Sequence, residues 1–175
     1  MLLVCAWAAA AGMPEPRYTQ AGELLRPEGY REWMFVGASL GMGYKEGESK
    51  SPMFHNIFIQ REAYEHFVKT GKFPDKTMLV MEKVEAATDE SINKRGRFGR
   101  SFAGIEAAVK DVSRFAGTWA YFHFIGEGGE ALPKAKAFPK ESCWNCHNEH
   151  GAVDNVFVQF YPVLKEHVRR AAAKK

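Results

Sequence analysis

The chain has 175 residues, 46% hydrophobic and 13% aromatic, enough for one domain with a sizeable core. Its formal net charge of +3 is too weak to argue for a nucleic-acid partner. The charges are interspersed except for a basic end at Lys165, Arg169, Arg170, Lys174 and Lys175, which reads as a solvated helix C-terminus where cations complement the dipole.

Residues 1–12 read as a secretory signal core. Leu2, Leu3, Val4 and Trp7 lead into an alanine run with small-residue cleavage sites near Ala10 to Gly12. The run is too short to span a bilayer. No positive charge precedes it, and Val4 is bulky for the lipid-attachment box that Cys5 would need. Residues 13–30, rich in Pro, Gly and charge, read as an extended lead-in.

Segment 31–40 has strand composition, and a Gly- and Lys-rich loop covers 41–52. A second strand, 53–60, puts Met53, His55, Ile57 and Ile59 on one face. A short helix over 61–70 is stopped by Gly71 and Pro74. Segment 77–86 is a third strand, 87–96 a polar loop, and 97–109 a fourth strand, at least in its first half. In the fifth, 118–126, Trp119, Tyr121, His123 and Ile125 alternate with Ala120, Phe122 and Phe124.

The segment Cys143-Trp144-Asn145-Cys146-His147 carries the most chemistry. Two cysteines separated by two residues and followed by histidine form an attachment site for a c-type haem. From one helical turn the two sulfurs reach both porphyrin vinyl groups, and His147 lies under the iron. A zinc site would need a second ligand pair, and no second Cys pair exists. A thioredoxin-type pair belongs on a strand-to-helix turn of a βαβ unit, which this region lacks. Export fits such a site, because bacterial c-type attachment is completed outside the cytoplasm. Ser142 is a candidate cap for the helix carrying the motif. Val156, Phe157, Phe160, Tyr161, Leu164 and Val168 suggest a final helix, which Pro162 must kink or restart. The expected fold class is α+β: a mainly antiparallel curved sheet of about five strands with a few helices and the haem-bearing turn near the C-terminus.

Several stretches match a known family in order and spacing: Gly29-Tyr30-Arg31-Glu32-Trp33, Ala63 to Phe67 leading to Thr70-Gly71-Lys72-Phe73, Gly104 to Asp111, Arg114-Phe115-Ala116, Cys143 to His147, and Phe160 to Leu164. On these the chain resembles the cytochrome P-460 family. The resemblance implies that residues 31–175 form a single haem domain, mainly β, assembling as a homodimer. It also implies one covalent haem c with five-coordinate iron, an open distal face and a redox partner cytochrome. Some members oxidise hydroxylamine to nitric oxide or nitrous oxide. A sister group, the cytochromes c′-beta, binds nitric oxide in a largely apolar distal pocket. The expected location is the periplasm, with no membrane span in the mature chain.

The family's catalytic members carry a lysine that cross-links to the porphyrin edge. Here Met81 occupies that position, and a thioether cannot form the amine bond. Lys83 lies on the same strand face, about 7 Å further along by strand rise. Met81 suits packing against a macrocycle edge. Glu106 matches the family's distal carboxylate, which takes a proton from a nitrogen ligand. In a strand, period two puts Phe98, Arg100, Phe102 and Glu106 on one face, where aromatic neighbours would desolvate the carboxylate. Glu106 equally suits the start of a helix over 106–113.

Three functions follow: an oxidoreductase acting on hydroxylamine or nitric oxide, a nitric oxide binder without turnover, and an electron carrier with a methionine ligand from Met34, Met42, Met53, Met78 or Met81. The other histidines, His55, His66, His123, His150 and His167, have no spacing that suggests a metal.

Overall fold

The computed structural model describes residues 12–172 other than 45, 48, 50, 89, 91 and 93. The expected signal segment lies outside the described residues apart from Gly12, as do Lys174 and Lys175.

Residues 13–30 carry more structure than their composition suggests. They contain β1 (Leu24–Leu25), which pairs antiparallel with β7 (Lys134–Ala135) late in the chain. A 3-10 turn, Tyr30–Glu32, then leads into β2 (Met34–Leu40). β3 (Met53–Ile59) follows, and α1 (Arg61–Thr70) ends at Gly71 as the sequence predicts. β4 (Met78–Ala87), β5 (Phe98–Lys110) and β6 (Trp119–His123) complete a five-stranded sheet. Its order is β2-β3-β4-β5-β6, with every pair antiparallel. The sheet is open, with β2 and β6 at its edges. The class is α+β, as expected.

Side-chain alternation gives the sheet two different faces. The register aligns His55 with Lys83, Ile57 with Met81, Met81 with Glu106, and Glu106 with His123. Those residues share one face with Leu79, Ala108, Trp119 and Tyr121. Against it pack Phe67 of α1, Phe73, Val156, Val158 and Leu164, forming the first core. The second face presents Val80, Ile105, Ala107, Val109, Ala120 and Phe122, and the lead-in covers it with Leu24 and Tyr30. Leu24 is fully buried, so residues before β2 help build this core. Burial of one such side chain contributes about 1.5–3 kcal/mol relative to exposure.

β5 departs from the expected pattern twice. It continues to Lys110, so no helix starts at Glu106. It also carries extra residues relative to β4, one of them Ala103, between the pairs Lys83–Gly104 and Val84–Phe102. A single extra residue reverses the facing of the residues beyond it until a second one restores the alternation. Phe102 therefore lies on the second face, where the Arg31 guanidinium sits 5.4 Å from its ring centroid. Arg31 there bonds Glu82, which also accepts from the Tyr30 hydroxyl at 2.8 Å. Strict alternation, which put Phe102 beside Glu106, fails at this bulge.

Beyond β6 come α2 (Trp144–His150), a 3-10 turn (Val158–Phe160) and α3 (Pro162–Ala172). Pro162 restarts the helix, in the first helical position, where its missing N–H has no intrahelical role. Among the described residues, no helix is long and apolar enough to cross a membrane.

Candidate functional site

The cysteine–histidine motif forms a short helix beside the first face of the sheet. Cys143, not Ser142, is the residue before α2, and no side chain caps its N-terminus. The helix is held instead by Trp144. Its indole N–H donates to the Gly117 carbonyl at 2.8 Å, and Lys140 lies 3.8 Å from its ring centroid. A side chain at position 117 would put its Cβ 2.4 Å from Trp144 Nε1, so glycine is required for this approach. Cys143 and Cys146 are half-buried free thiols. Burial pushes the Cys143 thiol up, helped by the charges of Glu106 and Cys146.

His147 is oriented on three sides. Its Nδ1 lies 2.9 Å from the Asn155 carbonyl oxygen. A carbonyl only accepts, so Nδ1 carries the proton and Nε2 keeps its lone pair. The Tyr121 ring packs against the imidazole at 4.1 Å between centroids, and Phe157 at 4.4 Å. Burial lowers the His147 pKa, opposed by the Asn155 carbonyl and the Glu106 charge, which favours a neutral nitrogen donor. The Tyr121 hydroxyl also donates to the Asn155 carbonyl, at 3.2 Å. Burial raises the Tyr121 pKa far above its ordinary value, so the phenol remains a donor.

Glu106 stands on the same sheet face as Tyr121. It is not surrounded by aromatics. Lys83 Nζ donates to its Oε1, and His123 Nδ1 lies 3.0 Å from the same oxygen. The three side chains come from adjacent strands and remain 19% to 34% exposed. The carboxylate therefore sits in a polar, partly solvated cluster. His55 is beside it in register with Lys83, its pKa lowered by burial and then by the Lys83 charge. Met81 stands directly opposite Glu106 and packs, like Cys143, against the first core.

The five residues singled out by sequence thus meet in one region: Cys143, Cys146 and His147 on the helical turn, Met81 and Glu106 on the sheet. Lys83, His123, Tyr121 and Asn155 complete it. The alternation of segment 118–126 already put Tyr121 and His123 on one side, but only the β5–β6 register joins them to Glu106. Met78 faces the second core, and Met42 is exposed. His66 and His150 are exposed, while His167 packs edge-on against Tyr64.

The family model described as cytochrome P-460 matches residues 27–158, from before β2 through α2. The chain belongs to the cytochrome P-460 family. No curated protein matches it. Family membership makes it a haem-binding cytochrome. The donor set fits haem. Two thiols two residues apart share one turn, and the adjacent imidazole has its second nitrogen already committed to a carbonyl. Such a second partner is the usual companion of a metal-ligating histidine. Among the described residues, no group of three or more His, Cys, Asp or Glu is placed to hold a bare metal ion.

Proposed function

We propose that this cytochrome P-460 family protein is an exported, periplasmic mono-haem cytochrome with an open distal site for redox chemistry on hydroxylamine or nitric oxide. Cys143 and Cys146 hold one haem c through thioethers, and His147 Nε2 is the only protein ligand to iron. The haem supplies the electron-accepting centre. A redox partner cytochrome takes the electrons onward, and the working form is a homodimer. A signal segment over 1–12 precedes the haem domain, whose second core takes in Leu24 and Tyr30 of the 13–30 lead-in.

One observation carries this reading: a histidine with a committed Nδ1 stands beside a sheet face that bears a hydrogen-bonded carboxylate. Oxidation of hydroxylamine removes protons along with electrons. Glu106 is the base within the site, and Lys83 and His123 fix its position by binding one of its two oxygens. His123 is partly exposed, which gives accepted protons a route to water. A base in hydrogen-bond reach contributes a rate factor of about 10² to 10⁴.

A second reading is favoured by Met81. With a thioether where the catalytic members have their cross-linking lysine, the protein binds nitric oxide without turnover, as the c′-beta group does. The deciding experiment is the optical spectrum of the ferrous protein with and without nitric oxide, followed by hydroxylamine turnover with an electron acceptor. Binding with turnover supports the oxidoreductase, and binding alone supports the gas binder. A six-coordinate low-spin spectrum indifferent to nitric oxide would overturn both in favour of electron carriage.

A further inference from the structure

We infer that Tyr121 tunes the bond between His147 and the haem iron by competing with the imidazole for one acceptor, the backbone carbonyl oxygen of Asn155. The inference rests on the reading of His147 as the axial ligand.

The geometry is specific. Asn155 O receives His147 Nδ1–H at 2.9 Å and the Tyr121 hydroxyl at 3.2 Å. A carbonyl oxygen has two lone pairs and accepts both donors. Both draw on the same partial charge, so each bond is weaker than it would be alone. The consequence reaches the iron through the ring. A strong acceptor at Nδ1 makes Nε2 a better donor, which favours ferric over ferrous iron. A shared acceptor gives the opposite bias. Tyr121 thus keeps the imidazole nearer neutral in character and eases reduction of the haem.

The carbonyl itself is firmly placed. Asp154 and Asn155 both adopt left-handed backbone conformations, with φ of 48° and 61°. The Asp154 carboxylate accepts from Lys110 Nζ at 2.6 Å, and the same ammonium donates to the Phe73 carbonyl at 2.8 Å. Val153 and Val156, flanking these two residues, close the loop with one antiparallel bridge. The acceptor is thus tied to the end of β5 as well as to the haem-bearing turn. Removing one donor should not let it drift. The Tyr121 ring has a separate role, because with Phe157 it packs against the imidazole. Tyr121→Phe retains that ring packing and deletes only the competing O–H.

The test uses the holoprotein, with resonance Raman of the ferrous state and a potentiometric titration. The wild type should show an iron–histidine stretch. In Tyr121→Phe that stretch should shift to higher frequency, and the midpoint potential should fall. Asn155→Gly keeps the left-handed backbone and the carbonyl, so it should leave both near wild type. An unmoved or lowered stretch in Tyr121→Phe, or an equal upward shift in Asn155→Gly, overturns the competition. Failure of Tyr121→Phe to take up haem while Asn155→Gly loads normally assigns the phenol to haem uptake and also overturns it. Absence of any iron–histidine stretch in the wild type removes the axial-ligand reading itself, a distinct result.

Discussion

Met81 and Glu106 stand directly opposite each other across β4 and β5, on the face against which the Cys143–His147 turn packs. The thioether and the carboxylate are therefore cross-strand neighbours, close enough for a change in one to alter the surroundings of the other. Lys83, the next residue on that side of β4, already binds Glu106.

Glu106→Gln keeps the size and polarity of the side chain and removes the base. Hydroxylamine oxidation should slow by about 10²- to 10⁴-fold, while nitric oxide affinity changes far less because that binding needs no proton transfer. Stopped-flow binding and steady-state turnover on one preparation check both. Equal turnover in the two proteins would falsify the role of Glu106.

Met81→Lys tests whether position 81 meets the porphyrin edge. The strand context is already in place, so the new amine should face the same side as Glu106. After peroxide treatment, peptide mapping should find the position-81 peptide joined to haem, with a red-shifted ferrous Soret band. Normal haem binding with no such peptide would place Met81 away from the edge.

Gly104→Ala should destabilise the fold by about 1–3 kcal/mol, read from urea midpoints. Gly104 has φ +126°, and an added Cβ would lie 2.2 Å from Ile125 Cγ1. Adding Ile125→Ala should recover the part due to the clash and leave the part due to backbone strain. No loss in the single variant would show that the bulge can be rebuilt without glycine.

Asp111 gives the stability a defined acid dependence. Burial alone would raise its carboxyl, but hydrogen bonds from Lys76 and Ser113 and the Lys76 charge outweigh burial and hold it below the usual range. A carboxyl with a depressed folded pKa stabilises the fold above its unfolded value, about 3.9. That stabilisation is lost as pH falls through the lower folded value. Asp111→Asn should cost about 1–3 kcal/mol at neutral pH, and its gap to wild type should close in acid below the unfolded value. A gap independent of pH would mean that shape, not charge, holds the turn.

The strands were legible because alternation and turn residues agree along most of the chain. The α1 stop at Gly71 and the restart at Pro162 follow from local chemistry alone. Other features were hidden for physical reasons. β1 and β7 are two residues each, too short for any periodicity. The bulge at Ala103 is marked only by the adjacent Gly104, a glycine inside the strand, yet it decides that Phe102 and Glu106 face opposite ways. Asn155 acts through its carbonyl, an atom that every residue has, so no residue type signals it. The Cys143 to His147 motif is the contrary case, since its chemistry depends only on spacing within one turn.

The extra residues on β5 also separate the site from the far end of the β4–β5 hairpin. Met81 and Glu106 pair on the Lys83–Gly104 side of the bulge, in unbroken register with β3 and β6. On the other side Phe102 pairs one residue out of step, and Gly99 and Phe98 pair two residues out of step. A strand that has already absorbed added residues at that point offers a natural place to absorb another. Insertions or deletions toward the hairpin tip should thus be tolerated during divergence, whereas the same change between Gly104 and Lys110 would exchange the polar and apolar sides of the sheet beneath the Cys143–His147 turn.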